Sequence, residues 1–175
     1  KKGETKPIDD NRQNDQFQIL VDTLTTNNFI QYEISNFGKE NYFSHHNSNY
    51  WKGVPYIGIG PSAHSYNGKQ RAWNIANNSK YIQSIQQNIF PHEIEVLNEL
   101  EQFNEKKING IRTIYGIDLN RLNSEFSPKL IQYFNQEIEK LLQKNIIEKQ
   151  TNKIILKPEA KFFADGIASR LFYVD

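Results

Sequence analysis

Three of the four histidines lie between His45 and Ser65, in the stretch HHNSNYWKGVPYIGIGPSAHS. Its first part, His46-Asn47-Ser48-Asn49-Tyr50-Trp51, places an imidazole and a carboxamide just before an aromatic pair. Imidazole nitrogen is a ligand for iron, zinc or copper, and a hydrogen bond from a neighbour such as Asn47 can orient the ring. That makes His46 the candidate metal ligand. Tyr50 and Trp51 offer flat apolar area with polar tips, suited to a planar ligand. The second part, Gly58-Ile59-Gly60-Pro61-Ser62-Ala63-His64-Ser65, follows Tyr56-Ile57 and reads as a strand leading into a small-residue loop. Glycines at the end of a strand let backbone approach a ligand closely. A third candidate set is Glu33, Ser35 and Asn36, at the end of an alternating stretch. Each set has a structural alternative: a half-buried histidine satisfied by its neighbours, an ordinary glycine turn without the third glycine of a dinucleotide fingerprint, and an edge strand with a polar outer face.

The elements that must position these residues follow from periodicity. Phe17, Leu20, Val21 and Leu24 mark one face of a helix, ended by Asn27-Asn28. Ile30, Tyr32 and Ile34 alternate with Gln31, Glu33 and Ser35, as in a strand with one apolar and one polar face. Helix followed directly by strand suits the last units of a β/α architecture, where strand ends carry active-site groups. Lys1 to Asn14 reads as a polar loop. Asn67-Gly68 is a hairpin signal, after which Arg71 to Asn74 returns as an extended segment. Ser79 is expected to cap a helix bearing Ile82 and Ile85, broken at Phe90-Pro91.

From Glu93 the pattern turns helical. Ile94, Leu97, Leu100 and Phe103 recur at helical spacing, with Ile108, Ile111 and Ile114 extending this helix or forming another. Gly110 argues against continuity, and Gly116 stops the run. Asp118 can cap a short helix with Leu119, Leu122 and Phe126. Ser127-Pro128 starts the next, with Leu130, Ile131, Phe134, Ile138, Leu141 and Leu142 as its buried stripe and Asn145 as its end. Two short strands, Ile146-Ile147 and Ile154 to Leu156, flank a turn at Thr151-Asn152. Pro158 opens a last helix with Phe162, Phe163, Ile167 and Leu171, the latter three packing against the preceding stripe.

The fold class expected is α+β. Residues 1–90 form the last strand or strands of a partial β/α barrel, and residues 91–175 a mostly helical, winged-helix-like domain. Many winged helices bind DNA, but the helix from Pro128 to Lys144 has no lysine or arginine stripe, so no nucleic acid is expected. A docking or structural use is favoured.

Composition sets further bounds. The 175 residues are 37% hydrophobic, with 11 Phe and 9 Tyr, enough for a core. A net charge of +1 provides no bulk field for nucleic acid or acidic membranes. With no cysteine, the chain can form neither a disulfide nor a thiolate-ligated zinc or iron–sulfur site of its own. No apolar run approaches the roughly 20 residues of a transmembrane segment, and no signal peptide is visible, so a cytoplasmic location is expected. A polar start at Lys1 and the lack of methionine suggest part of a longer protein.

Three motifs in order, Tyr32-Glu33-Ile34-Ser35-Asn36-Phe37, His46-Asn47-Ser48-Asn49-Tyr50-Trp51 and Gly58 to Ser65, resemble the C-terminal half of the oxygen-independent coproporphyrinogen III oxidase family. The closer match is to its haem-chaperone branch. The resemblance continues through Phe103-Asn104-Glu105, Gly110-Ile111-Arg112-Thr113 and Phe163-Ala164-Asp165-Gly166-Ile167, nearly the whole chain. It implies a radical S-adenosylmethionine parent, with a partial barrel, a [4Fe–4S] cluster and a mostly helical C-terminal domain. It also implies haem binding at His46, Asn47, Tyr50 and Trp51, and a cofactor-proximal loop at Gly58, Gly60, Ser62 and Ala63, to which Glu33 and Ser35 are added from the strand reading. The cluster motif, Cys-x-x-x-Cys-x-x-Cys, belongs to the N-terminal half. This stretch alone is therefore expected to do no radical chemistry and to have no catalytic residue. Expected partners are porphyrin or haem and haem-accepting proteins. The alternatives are an oxidative decarboxylase of coproporphyrinogen III and a winged-helix nucleic-acid binder.

Overall fold

A computed structural model describes residues 9–174. Helix α1, Asp10–Thr26, leads to strand β1, Ile30–Glu33, which pairs antiparallel with β2, Asn36–Gly38. Asn28 has a positive φ of 63° and turns the chain out of α1. The helix starts at Asp10, so the polar loop expected to reach Asn14 is already helical from there, and residues 1–8 lie outside the described ones. Helix α2, His45–Trp51, follows, then the hairpin of β3, His64–Tyr66, and β4, Gln70–Asn74. The Asn67 side chain accepts from Lys69 and Gln70 N–H in the turn, and Gly68 supplies the positive φ of 99°.

Helix α3, Asn78–Gln86, is capped by Asn77, whose side chain accepts from Lys80 N–H at 2.9 Å, rather than by Ser79. Strand β5, His92–Val96, joins β4 in register from Asn74–His92 to Gln70–Val96, completing the antiparallel sheet β3-β4-β5. This corrects the helical reading of Ile94. Helix α4, Glu99–Ile111, begins behind a reciprocal cap: Asn98 Oδ1 accepts from Glu101 N–H and Glu101 Oε2 from Asn98 N–H, at 2.9 and 2.8 Å. A helical spacing of apolar residues thus spans the end of a strand and the start of a helix.

Helix α4 runs unbroken through Gly110. A Cβ there would lie 2.5 Å from Ile117 Cγ1 and 2.9 Å from Ile117 backbone, so glycine is required by close approach of the next strand. That strand, β6, Ile117–Asp118, precedes α5, Leu119–Glu125, which Asp118 caps as expected. Helix α6, Pro128–Gln143, buries Leu130, Phe134, Ile138 and Leu141. Strands β7, Ile147–Gln150, and β8, Lys153–Leu156, turn at Thr151 and pair with β6 in the order β6-β8-β7. A 3-10 segment, Pro158–Phe163, then leads into α7, Ala164–Arg170, in place of one continuous final helix. All three small sheets are antiparallel, and no closed barrel forms among the described residues.

The core lies in the C-terminal half. Phe103, Ile111, Leu122, the α6 stripe, Ile154, Leu156, Ile167 and Leu171 form one buried cluster. Each such side chain contributes roughly 1.5–3 kcal/mol of transfer free energy. Ile167 and Leu171 join it as expected, but Phe163 is exposed. Phe163 sits at the end of the 3-10 segment, where the rotation per residue differs from that of an α-helix, and its ring packs on Phe162 instead.

One charged residue lies inside this core. Lys107 is fully buried; its ammonium donates to Leu171 O and stands 3.8 Å from the Phe103 ring centroid. Burial pulls its pKa down to about 7, so desolvation outweighs the favourable ring contact. The unfolded chain takes up this proton near ~10.4. Between those values the unfolded state binds more protons, and stability rises with pH. Urea denaturation from pH 7 to 9.5 is expected to show wild type gaining stability relative to Lys107→Met, with the difference levelling off below pH 7. A difference independent of pH across that window is incompatible with a depressed lysine.

Candidate functional site

Helix α2 forms because Ser44 caps it: its Oγ accepts the Asn47 N–H at 3.2 Å. Gly53, at φ 66°, turns the chain away after Lys52. Helical geometry divides the motif. His46 and Tyr50, four apart, share an exposed face, with ring centroids 4.8 Å apart and nearly perpendicular. Asn47 and Trp51 lie on the next face, about 100° round the helix. The carboxamide expected to orient His46 therefore sits on another face, and Tyr50 is the ring's aromatic neighbour. Tyr50 and Trp51 likewise do not share one surface.

The His46 face continues into an aromatic run. Tyr50 contacts Tyr56 at 4.5 Å between centroids, and Tyr56 lies 6.2 Å from Tyr66. Burial, and then the neighbouring Tyr50, raise the Tyr56 pKa above its ordinary value. Burial also raises that of Tyr66, against the influence of Arg71. Both phenols stay neutral at physiological pH and act as hydrogen-bonding aromatic surface. His45 and His64 are exposed, and His64 stands 6.4 Å from the Trp73 ring. Among the described residues no group of three or more His, Cys, Asp or Glu is placed to hold a metal ion; His46 offers a single imidazole donor.

The other face of α2 is anchored inward. Ser48 is buried and its Oγ accepts from Tyr115 Oη at 3.3 Å. Trp51 stacks near Arg112, whose Cζ is 5.1 Å from the ring centroid. Arg112 in turn bonds Glu33 Oε1 through Nε and Nη2, at 3.2 and 2.7 Å, and pairs with Asp165 through Nη1. Burial opposes its charge, but hydrogen bonds to Asp165 and Glu33 prevail and hold the guanidinium above its ordinary range.

Glu33 is thus not on a solvated face. It is 2% exposed, and its Oε2 accepts from Ser35 N–H at 2.9 Å and Asn36 Nδ2 at 2.5 Å. Gln31 is buried too and accepts from Lys161 at 3.2 Å. The polar face of β1 packs on the C-terminal half because segment 112–114 lies alongside: Ile34 N–H donates to Arg112 O, and Ile114 N–H to Tyr32 O. Ser35 is exposed. Residue types and spacing do not single out Arg112 and Asp165 as site residues. A signal is present, since both lie within segments carrying the family resemblance.

The glycine loop is braced from within. Tyr56 makes an isolated bridge to Tyr66 rather than starting a strand. Gly58 N–H donates to Ser65 Oγ, Gly60 N–H to Tyr81 Oη, and the buried Asn74 donates to both glycine carbonyls, at 3.2 and 2.8 Å. A Cβ on Gly58 would come 2.1 Å from His64 O, so this glycine serves the chain's own close approach. Gly60 differs: it has a φ of 103° and open space where its Cβ would be. Ser62 is exposed at φ 61°, and Ala63 N–H donates to Gly60 O. The loop is open to another molecule along the Gly60–Ser62 edge and at the exposed Ile59 beside it. Asn74, which holds it, has no sequence signal beyond lying in an extended segment.

Behind Trp51 a cleft of about 500 Å³ separates α2 and the β3–β4 hairpin from α4 and α5. Tyr66 and Tyr115 line it together with Lys52, whose ammonium lies 4.4 Å from the Tyr115 ring centroid.

The chain is similar to the haem chaperone HemW of Bacillus subtilis (strain 168), 29% identical over 155 residues, covering 87% of this chain and 41% of that protein. It is 30% identical over 162 residues to the mitochondrial radical S-adenosyl methionine domain-containing protein 1 of Dictyostelium discoideum, covering 78% and 36%. No protein-family model matches it. Among solved structures, coproporphyrinogen III oxidase (HemN) from Escherichia coli superposes with a TM-score of 0.65 at 15% identity, over 90% of this chain and 40% of that one. The chain therefore shares that fold and spans about two fifths of the length of these curated relatives.

Proposed function

We infer that this chain, related to the haem-chaperone branch of the oxygen-independent coproporphyrinogen III oxidase family, is the C-terminal part of a porphyrin-handling protein and binds haem as cargo. The observation that carries this reading is the His46–Tyr50 pair on the exposed face of α2, in a chain several of whose curated relatives are named haem chaperones. His46 supplies an imidazole to the iron. Tyr50 and the aromatic run behind it cover the porphyrin edge, while Trp51 fixes the helix from its inner side and the Asn47 N–H closes its cap on Ser44.

The residues present do not fit an iron–sulfur cluster, because the chain has no cysteine to supply a thiolate. Cluster and S-adenosylmethionine cleavage are assigned to the remainder of the full-length protein. The Gly60–Ser62 edge is the part of this chain offered to that cofactor, with Ser35 near the end of β1; Gly58, Ala63 and Glu33 support the backbone. We divide the chain functionally into residues 1–90 and 91–175, with β5, from the second part, completing the sheet of β3 and β4. The order α4-β6-α5-α6-β7-β8 is read as a winged-helix-like unit for docking a haem-accepting protein in the cytoplasm. No helix among the described residues is long and apolar enough to cross a membrane. The shared fold with a solved coproporphyrinogen III oxidase supports a second reading, oxidative decarboxylation by the full-length protein.

Absorbance titration of the full-length chain with haem tests the first reading. His46→Ala is expected to weaken binding at least about ten-fold, equivalent to ~1.4 kcal/mol, and to move the Soret band. His45→Ala and His64→Ala are expected to leave both near wild type. Unchanged affinity and Soret position in a folded His46→Ala protein would remove His46 as the ligand.

A further inference from the structure

The cleft behind Trp51 holds more positive charge than its acids neutralise. Lys52, Lys69, Lys106, Arg121 and Lys153 line it. Its three acids already have partners: Glu105 pairs with Arg71, Glu125 with Lys106 and Arg121, and Asp118 accepts from Arg121 N–H and the Asn152 amide. Lys52, Lys69 and Lys153 have no acidic partner among the described residues. Because the chain as a whole carries only +1, this surplus is local. Low-dielectric walls focus such charge on an anion entering the cleft.

Two further observations point the same way. The Trp51 indole N–H is buried and donates to no protein acceptor, a situation rare enough in folded proteins to demand a reason. The aromatic run that starts at His46 passes through Tyr50 and Tyr56 to Tyr66, which lines the cleft.

We propose that this cleft takes the carboxylate side chains of the tetrapyrrole whose ring lies against the His46–Tyr50 face. The Lys52 ammonium, held across the Tyr115 ring, meets one carboxylate directly. The Trp51 N–H gains its acceptor, and Lys69 and Lys153 supply surrounding charge. The inference rests on the haem reading and adds the chemistry that would distinguish a free propionate from an esterified one.

The experiment compares haem with haem dimethyl ester, which keeps the ring and iron but loses both negative charges. The full-length wild-type chain is expected to bind haem at least about ten-fold more tightly than the ester, as charge-assisted hydrogen bonds require. Lys52→Glu and the milder Lys52→Met are expected to weaken haem binding and to leave ester binding unchanged. Trp51→Phe, which keeps a ring but lacks the N–H, is expected to weaken haem binding. Equal wild-type affinity for the two ligands, or Lys52 variants that weaken both alike, would overturn the proposal. His46→Ala serves as the separate control and is expected to weaken both ligands, since it removes the iron contact. Wild type binding neither ligand would instead remove the haem reading, and the carboxylate site with it.

Discussion

Arg112→Ala is expected to lower the free energy of unfolding by about 3–5 kcal/mol, the cost of leaving one partner of a buried ion pair alone. The Glu33 side chain is 1% exposed and that of Arg112 16%. Truncation would leave Glu33 Oε1 without either of its guanidinium bonds, while Oε2 keeps Ser35 N–H and Asn36. Asp165, the other partner, is largely exposed, so Asp165→Ala is expected to cost no more than ~1 kcal/mol. Placing Arg112→Ala in a Glu33→Gln background tests the cause, because a neutral amide no longer demands the positive charge. Chemical denaturation should give a clearly smaller loss there than in wild type. Equal losses in both backgrounds would show that Arg112 acts through packing on Trp51 rather than through the carboxylate. The arginine joins β1, the end of α4, the start of α7 and the inner face of α2. Its loss is therefore also expected to loosen the helix that presents His46.

Phe134→Ala is expected to destabilise by a similar amount, about 3–5 kcal/mol, for a different reason: it opens a cavity in a core that cannot fully collapse. Phe134 is 1% exposed and meets Phe103 nearly perpendicular at 6.3 Å. Phe103 also packs edge-on against Phe126 at 5.0 Å and carries Lys107 on its face. A thermal or urea midpoint that barely moves would mean that neighbouring rings fill the space. Phe134→Leu should recover most of the loss, because it restores most of the volume.

The helix that carries Phe134 is legible in the amino-acid sequence alone. Its stripe repeats at one period, and all its strongest apolar positions fall on a single face. The Asp118 cap and the Asn67-Gly68 turn are legible for the same kind of reason, since each depends on a side chain acting within three residues of itself. Residues 94 to 103 mislead because a spacing of three also fits a strand followed by a turn and a helix. Asn98 and Glu101 mark the true helix start, but an apolar periodicity overlaps them. Phe163 is misplaced by its spacing because a 3-10 segment keeps a helical appearance in sequence while turning its residues by a different angle.

The candidate site divides along the same line. Residue types and order by themselves determined that His46, Tyr50 and Trp51 belong to one short motif, that the glycine loop follows it, and that no cysteine chemistry belongs to this chain. They could not determine which of those side chains share a surface. That depended on α2 being helical, which puts His46 with Tyr50 and turns Trp51 inward to Arg112. Glu33 meets an arginine 79 residues away and Gln31 a lysine 130 residues away. Contacts over such separations leave no local periodicity to read. Only the tertiary structure decided that the polar face of β1 is buried, because a polar side chain can leave water wherever a distant partner supplies its hydrogen bonds and charge.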